Sequence, residues 1–595
     1  MARAFREGKF SGMTNSPASL VATRRASGLG FSQNTTQSLA RRAAITIALC
    51  SMALHPLASR AVAAQPPSLR PDVMGTQGAV TSDHVLASAT GADVLRRGGN
   101  AVDAAIAMAG VLAVVRPHMN GVGGDNFLLI REAKSGKVYA LNASGRAGSR
   151  ATPEFFAGKD LKSVPGSGIL SVSVPGAVQG WEDALRRFGT TTLKQALQPA
   201  IGYAERGFAV STRLSLDIGG EVKKVAADSS LARIFLVNGA APAPGTILVQ
   251  RDLAGTLRAI ANGGAAAFYR GPIARKIAAF MEQEGGLVTT ADLAKNRVSW
   301  QEPISTTYLG KRVLAFPPNT QGATFLEMLN LAELQDLTAM GRTSADYVHT
   351  LVEGAKLAYA DRDRYIADPE FANVPLDRLL SKEYAKELGR RIRRDSIAAD
   401  AAGDGTRDGN GDTIYLTVID KDGNAVSMIQ SLFAAFGSGR MVPGTGITLH
   451  NRGALFSLET SHPNIVAPGK RPFHTLSPAM ALNDDGSLFA TFGTPGGDGQ
   501  PQTLIQILNN VLRFGMTPQQ AVEAPRWRVF GSGRLGVEPG LSDEVRADLA
   551  RRGQRVSVEK PSADFGGAQM IVIDPQSKVR MIGSDYRREA YGIAW

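Results

Sequence analysis

The chain of 595 residues holds a single cysteine, Cys50, so no disulfide can staple it. Cys50 falls in a leader expected to be removed. The mature body then has no thiol for nucleophilic catalysis or for a cysteine-ligated zinc site. Histidine is also scarce: His84, His118, His349, His450, His462 and His474 are the six in the body, and none is in H-E-x-x-H spacing. No G-x-S-x-G elbow occurs, which argues against a conventional serine hydrolase. Basic residues are nowhere interleaved with aromatics, so nucleic acid is not an expected partner. The densest basic run, Arg390-Arg391 with Arg393-Arg394, reads as a solvated helix face. No apolar run reaches the length of a membrane span. Neither a cofactor nor a metal is expected.

What is present begins with charge. The formal charge is +13, but residues 1–64 carry eight Lys/Arg against the single Glu7, so +7 sits there and +6 remains on the body. Within that segment, AAITIALCSMAL (43–54) follows Arg41-Arg42 and precedes Ala61-Val62-Ala63-Ala64. A positive flank, a short apolar run and small residues at a cleavage site read as a secretory signal; a buried core helix is the alternative. The expectation is an exported protein, periplasmic or extracellular, without a stable membrane anchor.

From about residue 76 the pattern is mixed α/β. Residues 84–97 read as a helix closed by Gly98-Gly99, and 100–115 as a second, apolar one. A glycine turn at 121–124 delivers a strand at 127–130. The stretch 181–400 reads as mainly helical, notably 181–187, 192–206 and 345–364. Strands are expected at 489–492 and 569–573, with helices at 502–514 and 541–552.

Residues 400–412, DAAGDGTRDGNGD, read as an exposed loop, and Thr413–Asp420 then opens a β-branched strand that Lys421–Asn424 turns back into 425–429. This juncture has two readings. One is a surface loop before a hairpin. The other is an N-terminal nucleophile: a cut between Asp412 and Thr413 would give Thr413 a free α-amine, which can act as general base for its own hydroxyl. A calcium loop on Asp408, Asn410 and Asp412 is a third idea, from a non-enzymatic class. Thr413 stands in that loop's glycine position and Ile419 in place of the closing Glu, which weighs against it.

The segments TIYLTVIDKDGNAVSMIQSLFAAFGSG, PGTGITLHNRG, PGKRPFHTLSP and GTPGG, running from the hairpin toward the C-terminus, together with GGNAVDAAIA, VPGAVQGW, FYRG, EGGLVTTADL and AYADRDRY upstream, resemble the gamma-glutamyltransferase family from about residue 76 onward. The resemblance implies a four-layer αββα sandwich of the N-terminal-nucleophile hydrolase type, in which a large subunit (65–412) and a small subunit (413–595) are cut from one precursor and form a single interleaved domain. Length alone would have suggested about four domains. It also implies that Thr413 is nucleophile in self-cleavage and in catalysis, that Ser431 hydrogen-bonds it, and that Gly496 and Gly497 supply oxyanion-hole N–H groups. His474-Thr475 takes the place of a pair that holds a substrate carboxylate. The substrates implied are a small amide and a water or amine acceptor.

The family's glutamate clamp is altered. Phe433 stands for an Asn, Arg452 for a Gln or Glu and Leu455 for an Asp, while the family's Arg is displaced to Arg146, with Ser144 in its place. Phe433 and Leu455 offer an α-ammonium nothing, and Arg452 repels it. The expectation is a retained acyl-transfer machine, acting on a gamma-glutamyl or related amide, for which glutathione is a poor donor unless other residues supply the missing partners. Donors lacking the α-amine, such as glutaryl-type or β-lactam side chains, with a carboxylate for Arg452 or Arg146, fit better.

Overall fold

Alternating apolar residues direct the central strands. In Gly411–Ile419, Ile414, Leu416 and Val418 face one apolar cluster while Tyr415 and Ile419 face another, as a period of two requires when both faces of a strand are buried. The structure is a computed structural model that describes residues 68–398 and 411–595, all of them within one unit. The leader and the loop positions Asp408 and Asn410 lie outside the described residues.

Two seven-stranded antiparallel sheets form the centre. The first runs Tyr591–Ala594, Ala79–Ser82, Gly411–Ile419, Ala425–Ala434, Asp125–Arg131, Val138–Ala143, Ser299–Gln301. The second runs Val73–Gly75, Arg580–Ser584, Gln569–Ile573, Leu488–Gly493, Ala479–Leu482, Lys311–Ala315, Ile304–Tyr308. Their inner faces meet through Phe127, Tyr415 and Ile429 on one side and Phe316, Met480 and Ile571 on the other. Helices cover both outer faces, giving the expected αββα sandwich.

On the first sheet lies Ala101–Val115, every residue of which is buried. A helix apolar all round belongs in an interior, and its alanines let the layers approach. Asn100 caps it: its side chain accepts from Val102 and Asp103 N–H while Asp103 reaches back to the cap. On the second sheet lie Gly322–Glu333, Ala345–Tyr365 and Gln500–Leu512.

The structure departs from expectation in three places. Within the mainly helical stretch 181–400, Ser299–Gln301 forms an edge of the first sheet, and Ile304–Tyr308 at the edge with Lys311–Ala315 just inside it joins the second, strands that the sequence pattern did not announce. The helix expected over 192–206 is two, Leu193–Ala196 and Gln198–Arg206, the second carrying Pro199 in its first turn, where a missing N–H costs nothing. The arginines 390–394 are exposed, but they follow the helix Lys382–Gly389 rather than forming its face.

Candidate active site

The site is built where the strands Gly411–Ile419 and Ala425–Ala434 lose register. Thr413 pairs with Ser431 but Asp412 pairs with Phe433, so Leu432 is the extra residue of a bulge. Phe433 takes φ +80°, a left-handed conformation that costs a non-glycine residue roughly 1–3 kcal/mol and is kept where the surroundings impose it. Its N–H donates to Ser431 Oγ at 2.7 Å. Thr413 Oγ1 donates to the same oxygen at 3.0 Å, and Ser431 Oγ donates to the Asp412 carbonyl at 2.9 Å. One hydroxyl thus uses its full donor and acceptor capacity. Thr413 is buried in this uncut chain.

A glycine loop lies against the same strand. Gly496 (φ +125°) and Gly497 (φ +57°) adopt conformations that L side chains rarely reach, and a Cβ on Gly411 would lie 2.6 Å from the Gly497 Cα. The loop is held from behind. Gln321 Nε2 donates to the carbonyls of Gly497 (3.0 Å) and Thr475 (2.7 Å), and Arg362 Nη1 donates to Asp498 Oδ1 at 2.9 Å and to Gln321 Oε1 at 3.3 Å. Tyr359 adds a hydroxyl bond to the Asp498 carbonyl.

The third wall carries a buried cation. Arg452 is fully buried, packs over the Phe433 ring with Cζ 4.7 Å from its centroid, and donates from Nη1 to Thr475 Oγ1 at 3.2 Å. Its Nε and Nη2 have no hydrogen-bond partner, and among the described residues no carboxylate comes within ion-pairing distance. Burial pushes its guanidinium down to about 9, still protonated at neutral pH. Leu455 lies in the apolar cluster against which Phe433 packs, so this wall offers apolar surface and one positive charge.

Behind it, His474 Nε2 bonds Asp125 Oδ2 at 3.1 Å and His450 Nδ1 lies 3.5 Å from the same oxygen. Burial would raise Asp125, but His450, His474 and Arg452 outweigh it and hold the carboxyl at about 2. Burial and Arg452 together push His474 down to about 3, so its imidazole is neutral. Asp125 Oδ1 also accepts the Gly145 N–H.

The structure therefore brings together Asp412, Thr413, Ser431, Phe433, Gly496, Gly497, Arg452, Leu455, His474 and Thr475. It does not bring in Arg146. That guanidinium is partly exposed and committed to Glu370 at 2.7 Å, Asp368 at 3.8 Å and the Gly469 carbonyl. Sequence reading missed Asp125, Gln321, Arg362 and Arg588. Asp125 and Asp498 each follow a Gly-Gly pair, a usable signal; Gln321 and Arg588 carry none locally.

Two antiparallel sheets clasped between helical layers, with a threonine hydroxyl set into the head of a central strand beside a glycine loop, place the chain among the N-terminal-nucleophile hydrolases. Within that class the chain belongs to the gamma-glutamyltransferase family, since the Gamma-glutamyltranspeptidase family profile matches residues 87–595. It is 43% identical over 494 residues to the glutathione hydrolase-like YwrD proenzyme of Bacillus subtilis, covering 82% of this chain and 92% of that protein. It is 38% identical over 506 residues to the oxamate amidohydrolase proenzyme of Klebsiella pneumoniae, covering 83% and 93%. Among solved structures, the cephalosporin acylase from Bacillus halodurans superposes with a TM-score of 0.83 at 37% identity, over 89% of this chain and 98% of that one. The chain is thus an enzyme of an acyltransferase and amidohydrolase family.

Proposed function

We propose that the protein is an exported, self-processed amidohydrolase that uses Thr413 first on its own chain and then on substrate. The observation that carries this reading is the Ser431 hydroxyl, which links the Thr413 hydroxyl to the Asp412 carbonyl in the uncut chain. In maturation, Thr413 Oγ attacks the Asp412 carbonyl carbon, the C–N bond breaks, and the proton passes to nitrogen, leaving an ester. Water hydrolyses that ester, giving a large subunit ending at Asp412 and a small one starting at Thr413. In turnover, the freed α-amine takes the hydroxyl proton as Oγ attacks the substrate carbonyl and passes it to the departing amine. Gly496 and Gly497 N–H groups face the developing oxyanion. Water or an amine then takes the acyl group.

The wall of Phe433, Leu455 and Arg452 supports donors without an α-amine. An ammonium brought beside a buried guanidinium loses its hydration and gains repulsion. A carboxylate on the acyl group would instead meet Arg452; Arg146, already ion-paired, is set aside. Gamma-glutamyl amides remain a second reading, favoured by the name of the B. subtilis relative. Denaturing electrophoresis with N-terminal sequencing of the smaller band is the test, and Thr413-Ile414-Tyr415 is the expected start. Comparing a γ-glutamyl anilide with its glutaryl analogue then separates the two donor classes. A chain that stays whole yet turns over amides would defeat the mechanism.

A further inference from the structure

Outside the contacts that hold Thr413, one buried charge is tied to the cut itself. Arg588, near the C-terminus, is 3% exposed, and its only ion pair among the described residues is with Asp412, Nη2 to Oδ1 at 3.1 Å. Its remaining contacts are weak: Nη1 lies 3.9 Å from Met119 Sδ, and Nε has no hydrogen-bond partner. The carboxylates of Asp83 and Asp217 also face it, but at longer range. Asp217 is engaged by Arg116 at 3.1 Å and Arg213 at 2.8 Å, and Asp83 accepts from Tyr415 N–H and Gln569. A buried guanidinium has therefore been paired with the one residue whose carbonyl is to be cut.

We propose that Arg588 is a positioning residue for self-cleavage, a clamp that holds Asp412 by its side chain while Thr413 attacks its carbonyl. The inference rests on the reading that the Asp412–Thr413 bond is cut. Its physical basis is the bulge. The register slips between Asp412 and Thr413, so the scissile peptide lies at a break in the regular ladder. Ser431 holds the carbonyl oxygen, but a single hydrogen bond leaves the peptide plane free to rotate about it. The Arg588 pair adds a second point on the same residue, from a segment remote in sequence. The two contacts together restrain the rotation of the peptide that the hydroxyl must approach. An intramolecular attack depends steeply on such placement, a shift of about 1 Å costing as much as 10²-fold.

A cavity of about 170 Å³ opens beside the pair, lined by Gly411, Asp412, Gly496, Arg588 and Asp217 among others. The clamp thus sits at the edge of a space into which residue 412 can withdraw once it is cut. Arg588 then loses its ion-pair partner, so the contact belongs to the precursor alone.

The test is a time course of cleavage during cell-free synthesis of the full chain, read by electrophoresis, for wild type, Asp412→Asn, Arg588→Gln, Arg588→Lys and the Asp412→Asn/Arg588→Gln pair. Each neutralising change should slow cutting tenfold or more, the double variant should be no slower than the slower single, and Arg588→Lys should recover most of the rate. Non-additivity is a signature that a general loss of fold does not produce. Should Arg588→Gln fail to fold, Asp412→Asn carries the test alone, because it removes the pair at a partly exposed position. Wild-type cleavage rates in Asp412→Asn, or effects that multiply in the double variant, would overturn the clamp. An uncut wild-type chain would instead overturn the processing reading.

Discussion

The hydroxyls of Thr413 and Ser431 lie 3.0 Å apart on facing strands, and Ser431 in turn donates to the Asp412 carbonyl. Thr413→Ala is expected to stay whole and inactive. Ser431→Ala removes the bond that polarises the scissile carbonyl, and by analogy with loss of one oxyanion donor its cutting should slow by about 10²–10³-fold. Ser431→Thr keeps the hydroxyl and adds a methyl group that a strand tolerates, so it should cut at close to the wild-type rate. Electrophoresis of freshly made protein distinguishes the three.

Arg452 is expected to set the donor preference. Hydrogen bonds to a charged group contribute about 1.5–3 kcal/mol, so the wild-type kcat/KM for an acyl donor ending in carboxylate should exceed that for its methyl ester by about 10–100-fold. Arg452→Gln should collapse that ratio, mainly through KM. Equal rates for the two donors in wild type would refute the assignment.

Gln321 braces the glycine loop with one amide bonded to two carbonyls. Gln321→Leu leaves the Thr475 carbonyl buried and unsatisfied, at about 1–3 kcal/mol, and leaves the Gly497 carbonyl only the Gln500 N–H, which loosens the loop. A drop in melting temperature should accompany a lower turnover number in whatever fraction is cut. Retained kcat with a lowered melting temperature would mean that the loop needs no brace.

Acid should unfold the protein early. His474 and His84 are both held neutral by burial, at about 3 against an ordinary 6.5. A depressed folded pKa means the unfolded chain takes up the proton first. The stabilisation is complete above pH 6.5 and is lost as pH falls toward 3, at about 1.4 kcal/mol per unit for each histidine. Asp125, held at about 2, adds a loss that begins below its ordinary value of 3.8. Melting temperature should therefore fall steeply between pH 6 and 4, and His474→Gln should flatten the slope. A parallel curve for the variant would assign the effect elsewhere.

Much of the sandwich was legible in local pattern. The strand at 569–573 and the helix at 345–364 match the observed Gln569–Ile573 and Ala345–Tyr365 almost residue for residue, because alternation and a buried stripe are written in neighbouring positions. The hairpin extends beyond the expected 413–420 and 425–429, to Gly411 and Ala434, because Gly411 and Asp412 pair across the bulge with Ala434 and Phe433. The strands near 299–315 were hidden by their shortness. In the site, Thr413, Ser431 and the glycine pair were visible through family motifs. Gln321 and Arg588 were not, because each acts from a distant segment on a backbone or side-chain group that no local motif names. Arg146 misled because sequence shows a charge but not which carboxylate has already claimed it.

Strands from either side of residue 412 alternate through both sheets: Gly411–Ile419 is hydrogen-bonded to Ala79–Ser82, and Ala425–Ala434 to Asp125–Arg131. Severing the chain there would release at most the pairing of Gly411 and Asp412 with Ala434 and Phe433, leaving the rest of both sheets in place, but it would delete the covalent continuity that guided assembly. Folding is unimolecular for the precursor; for the cut pair, recovery after full denaturation is a second-order encounter between fragments that must thread through each other. A cut enzyme would thus be preserved by a barrier to opening rather than by an equilibrium it can revisit, and refolding yields should depend on concentration for the cut protein but not for a Thr413→Ala chain.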